Sequence, residues 1–162
     1  SGEMNYGSDW ARLDANPVYT PDIVATIPPL PYVVKSRQWE AIELIHGIEH
    51  FYLWEARQLL RECHQALELG GWLILEQPNI LFAAQVLAGL AAPLTDVEGQ
   101  SDMWPLYGDP THCDPLYIHR WGWTPATLVD ELIATGFHPG NIARAEVRHH
   151  LRERDFRLEA QR

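Results

Sequence analysis

Basic residues are scarce in this sequence. Twelve Lys and Arg stand against 22 Asp and Glu, a formal net charge of -10. Phosphate backbones are met by clustered Lys and Arg, so this balance argues against nucleic acid as the main partner. Cysteine is also scarce. Cys63 and Cys113 are the only two, too few for a disulfide framework. They fit a reducing compartment and a cytoplasmic location, with a single bridge left open. No run of about eighteen apolar residues occurs, so no membrane span and no membrane partner are expected. The longest apolar patch, Ile80 to Ala92, is broken by Gln85 and Gly89. Ser1-Gly2-Glu3 carries neither a basic region nor an apolar signal core. G-x-S-x-G, P-loop and C-x-x-C motifs are missing, which removes the central residues of serine hydrolases, nucleotide triphosphatases and thioredoxins. There is no internal repeat and no low-complexity tract.

What is present fits one α/β domain. A chain of 162 residues, 46% of them apolar, is long enough to bury a core. Trp39 to Ile45 alternates and reads as a strand ending at His46-Gly47. Leu53 to Leu69 reads as a helix, with Leu53, Ala56, Leu59, Leu60, Cys63 and Leu67 at spacings of three and four. Gly70-Gly71 should stop it. Trp72 to Leu75 is a continuously apolar strand, as in sheets covered on both faces. Ile80 to Leu90 reads as a buried helix. Residues 92–123 show no period, and five Trp and Tyr residues fall among their Pro, Gly and Asp. Such long irregular stretches are usually functional. Thr124-Pro125 opens a further helix that Gly136 ends. Ile142 to Val147 and Phe156 to Ala160 read as two closing strands. Trp39, Trp54 and Trp72 read as core residues.

Strands alternating with helices predict a mostly parallel sheet with helices on both faces and a C-terminal antiparallel hairpin. Ligands of such sheets sit beyond the carboxyl ends of the strands. That rule draws Asp14, His46 and Gln77-Pro78-Asn79 toward one crevice. Asp14 suits the hydroxyls of a ribose, although its position alone favours a turn Asp before Asn16-Pro17. His46-Gly47-Ile48-Glu49-His50 matches H-x-x-E-H as a string. Zinc binding through that motif needs both His on one helical face, whereas His46 closes a strand and Gly47 weakens a helix. His112, Cys113 and His119 lack the paired spacing of a closed metal site. A loop whose His, Arg120, Asp109 and aromatic rings line a substrate cleft accounts for them better.

The pieces in order are a strand reaching Asp14, then Asp22 to Ile27 with a Pro-rich turn, then Ile42 to Phe51. The first helix follows, then Leu69-Gly70-Gly71-Trp72-Leu73-Ile74-Leu75-Glu76-Gln77-Pro78-Asn79. This order resembles the class I S-adenosylmethionine-dependent methyltransferases, a small bacterial group above all. Gly136-Phe137 and Arg154 to Leu158 match the antiparallel hairpin that closes that fold. The resemblance spans nearly the whole chain, 1–162, as one methyltransferase-like domain with 92–123 as an aromatic loop or lid. It implies S-adenosylmethionine as cofactor, with Asp14 on its ribose and Thr26 and Ile27 against its adenine. His46 would border its methionine part, and Gly2 would be the last of a glycine-rich loop.

The family's first strand and most of its glycine turn would precede residue 1. Three outcomes stay open: the sequence is a fragment of a longer polypeptide, another strand or chain fills the gap, or the sheet closes differently and binds no cofactor. The resemblance implies methyl transfer to a small-molecule or sugar-like acceptor, with His50, His46 or Glu49, and His119 on the lid, as candidate bases. Two alternatives stand beside it. One is a non-catalytic methyltransferase-like module, binding a partner by strand completion in a homodimer. The other is a zinc hydrolase using His46, Glu49 and His50.

Overall fold

The computed structural model describes residues 10–162. In chain order its elements are β1 (Leu13–Asp14), β2 (Ile23–Val24), α1 (Tyr32–Lys35), β3 (Trp39–Ile45) and α2 (Leu53–Ala66). There follow β4 (Leu67–Pro78), α3 (Ile80–Leu87), α4 (Met103–Tyr107), α5 (Pro125–Thr135), β5 (Ile142–Ala145) and β6 (Asp155–Gln161). β1 and β2 form a short parallel pair. The larger sheet has the order β3-β4-β6-β5. Its β3–β4 pair is parallel, while β6 runs antiparallel to both β4 and β5. This is the expected mixed α/β architecture with its antiparallel closing hairpin. Among the described residues, no strand joins the small pair to β3.

The core lies on one side of this sheet. Leu73 and Leu75 of β4 share that side with Phe156, Leu158 and Ala160 of β6, two residues apart as strand pleating requires. Ala56, Leu59, Leu60 and Cys63 of α2 and Leu128 and Leu132 of α5 close over them, all fully buried. Each buried Leu contributes about 1.5–3 kcal/mol. The other side of the sheet carries charge. Arg157 meets Glu76 at 3.3 Å and Glu159 at 2.8 Å, and Glu76 also accepts the backbone N–H groups of Arg148 and His149.

Several sequence expectations need correction. α2 ends at Ala66 rather than Leu69, and the chain is already extended at Leu67. Trp39 pairs with Leu67, yet Ala41 pairs with Trp72, so Glu68 to Gly71 bulge out opposite Glu40. Gly70 takes φ +87°, and a Cβ at Gly71 would lie 2.9 Å from the Trp39 carbonyl oxygen. The two glycines therefore re-aim the chain along β3 rather than cap a helix. α3 stops at Leu87 and is not a buried helix: Leu81 and Leu87 are exposed, and only Ala83 and Val86 are buried. Residues 92–123 hold α4 and two single helical turns, Pro110–His112 and Pro115–Tyr117. Trp54 and Trp72 are exposed rather than core, and Trp54 stacks on Tyr52 with ring centroids 4.5 Å apart. Trp39 does pack against the core.

Candidate functional site

A crevice of about 980 Å³ lies between the small strand pair and β3. Its walls include Asp14, Thr26, Ile27, His46 and His50, with Tyr117 and Arg120 from the aromatic loop. Gly2 lies outside the described residues. Asp14 ends β1, and its Oδ1 accepts the N–H of Asn16 at 2.7 Å. It thus makes the local turn and also lines the crevice. The Tyr117 hydroxyl hydrogen-bonds that of Tyr19, which lies outside the crevice lining. Burial, followed by that hydrogen bond, pushes the Tyr117 phenol up to about 12. Asp109 does not line the crevice and instead caps the turn at Thr111. His112 stacks on Tyr117 at 4.1 Å, and Cys113 is exposed.

His46 is placed by the end of β3. Its backbone turns left-handed, φ +48°, while its N–H donates to the Glu76 carbonyl at 2.7 Å. The ring then points between two carboxylates. Nε2 lies 3.1 Å from Asp155 Oδ2, and Nδ1 lies 3.4 Å from Glu49 Oε1. Burial alone would lower its pKa, but the hydrogen bond to Asp155, the close approach of Glu49 and the charges of both carboxylates outweigh burial and raise it to about 9. His46 is therefore an imidazolium at neutral pH. Burial would raise the Asp155 carboxyl, yet His46 and Arg154 hold it below the usual range. Arg154 Nε donates to Asp155 Oδ1 at 2.6 Å, and the His150 ring sits 4.0 Å from that of His46.

Glu49 and His50 close a single helical turn, Ile48–His50. Residues 118–121 strap across it, with the Arg120 and Trp121 N–H groups donating to the Glu49 carbonyl at 2.8 and 3.2 Å. The Glu49 side chain is buried beneath His50, and neither carboxylate oxygen has a hydrogen bond. Burial would raise its pKa, but contact with the charged His46 ring outweighs burial and holds it below the usual range. His119 lies 4.0 Å from Glu49 and is pushed down by burial, so it is neutral. His50 and His119 meet edge to face at 4.9 Å.

The structure brings together Asp14, Thr26, Ile27, His46 and His50 on one crevice, with Glu49 and His119 packed behind His50. It does not favour the zinc hydrolase reading. Both nitrogens of His46 already face carboxylates, so no lone pair is left for a cation, and His46 lies outside the helical turn that holds Glu49 and His50. Asp155, Arg154 and His150 went unrecognised in the sequence. Asp155 stands 109 positions from His46, and no local spacing links them.

The fold is similar to that of solved structures of S-adenosylmethionine-dependent methyltransferases. A methyltransferase of that kind from Archaeoglobus fulgidus superposes with a TM-score of 0.58 at 14% identity, over 93% of this chain and 74% of its own. A protein from Nostoc punctiforme assigned as an O-methyltransferase superposes with a TM-score of 0.50 at 15% identity, over 78% of this chain. The match spans only 32% of the Nostoc protein's length. No family model and no curated protein matches the sequence.

Proposed function

We propose that this chain is an S-adenosylmethionine-dependent methyltransferase acting on a small, hydroxyl-bearing, sugar-like acceptor. One observation carries this: the crevice gathers Asp14, Thr26, Ile27, His46 and His50, which are scattered over some thirty-six positions of sequence. Its volume of about 980 Å³ suits a nucleoside-sized ligand. The donor set suits one as well. The Asp14 carboxylate can accept from ribose hydroxyls, and Ile27 offers an apolar wall for adenine. Thr26 supplies a hydroxyl where many relatives carry an acid. When bound, the cofactor supplies an electrophilic methyl group on a sulfonium.

The protein's own work is alignment and proton removal. His50 borders the crevice, and its Nδ1 is held by the Ile118 carbonyl at 3.2 Å. Its Nε2 therefore carries the lone pair, which can accept the acceptor's hydroxyl proton. Glu49 and His119 hold that ring from behind. The aromatic loop supplies Tyr117 and Arg120 as walls against water.

Calorimetric titration with S-adenosylmethionine tests the proposal. Micromolar binding that disappears in Asp14→Ala supports it. A folded wild-type chain that gives no binding refutes it. One observation favours a second reading, a strand-completed, non-catalytic module. Among the described residues, β3 pairs with β4 alone. A homodimer in solution that ignores the cofactor would select that reading.

A further inference from the structure

We propose that Glu49, His50 and His119 form a binding site for a divalent first-row transition-metal ion at the base of the crevice. One ligand atom from each side chain falls within 4.8 Å of the other two. The Glu49 carboxylate is only 2% exposed, yet neither of its oxygens is hydrogen-bonded. A buried carboxylate with open lone pairs is costly unless something fills them. His46 approaches one oxygen at 3.4 Å, which leaves the other lone pairs open.

The two imidazoles are set up as ligands. His119 Nδ1 lies 3.0 Å from the Pro105 carbonyl, and His50 Nδ1 lies 3.2 Å from the Ile118 carbonyl. A carbonyl can only accept, so each Nδ1 carries the proton and each Nε2 carries a lone pair. A backbone carbonyl fixing the far nitrogen is the usual outer support of a metal-binding histidine. His119 Nε2 points to Glu49 at 4.0 Å. The segments are braced against each other as well, since Arg120 Nη1 donates to the His50 carbonyl at 3.0 Å.

Two imidazoles and one carboxylate suit Mn²⁺, Fe²⁺, Co²⁺ or Zn²⁺, and three protein ligands leave positions open. His50 lines the crevice, so those positions would take an oxygen donor entering from it. On the reading above, that donor is the acceptor hydroxyl. A bound cation would then acidify the hydroxyl directly, and the proton would leave to solvent rather than to His50. This last role rests on the methyltransferase reading, whereas the cation site does not.

Mn²⁺ alone is the probe, added to chelator-treated full chain and followed by electron paramagnetic resonance. One ion per chain should bind with micromolar affinity, weakened at least tenfold in Glu49→Gln and in His119→Ala but unchanged in His112→Ala. Wild-type protein without stoichiometric binding, or equal weakening by His112→Ala, overturns the proposal. Should the buried variants fail to fold, proton resonances of the wild type decide. Mn²⁺ must broaden His50 and His119 before His64 and His138; uniform broadening overturns the site. No cofactor enters this experiment, so its failure is distinct from a failure to bind S-adenosylmethionine.

Discussion

The two sides of β4 are built on opposite chemistry. Leu73 and Leu75 face α2 and α5 and are held by apolar burial. Glu76 faces the other way and is equally buried, but it is held by Arg157 and by two backbone N–H groups. Apolar contacts tolerate small shifts, because dispersion and desolvation depend weakly on angle. Charged hydrogen bonds do not, so the polar side fixes where the chain crosses. Glu76 also supplies the carbonyl that turns His46 into the crevice. Both sides stabilise the strand, but only the polar side also places the site.

Substitutions on the two sides should separate these roles. Glu76→Ala leaves the Arg148 and His149 backbone donors unpaired and removes one of Arg157's carboxylate partners, and should cost about 2–5 kcal/mol in urea unfolding. Leu73→Ala should cost about 2–4 kcal/mol by the same measurement, but leave cofactor affinity within a few-fold. Glu76→Ala should also weaken cofactor binding more than Leu73→Ala does, by loosening the strand end that holds His46; equal losses in the two variants would erase the distinction. Gly71→Ala places a methyl group against three backbone carbonyls and should cost about 1–3 kcal/mol. The smallest effect separates the two thiols. Burial pushes the Cys63 thiol up to about 12, whereas Cys113 is exposed. A thiol reagent at pH 8 should label one cysteine per native chain and two in urea.

Legibility in the sequence follows the same divide. α5 was readable at both ends because Thr124, Pro125 and Gly136 act within a few residues of themselves. β3 was readable from its alternation. The end of α2 was not, because Gly70-Gly71 serve a contact with Trp39 that only the folded sheet creates. The crevice lining was legible for Asp14 and His46 from strand order, and for Thr26 and Ile27 through the family resemblance. The partners of those residues were not. Asp155 reaches His46 from the last strand, and His119 reaches Glu49 through a strap of 118–121 that has no period. Long-range polar pairing leaves no mark on local spacing.

The most direct test is a crystal structure of the chain grown with S-adenosylhomocysteine. The account predicts density for the nucleoside between the β1–β2 pair and β3, with its ribose hydroxyls on Asp14. An occupied site elsewhere, or a well-ordered crevice without the ligand at saturating concentration, would contradict it.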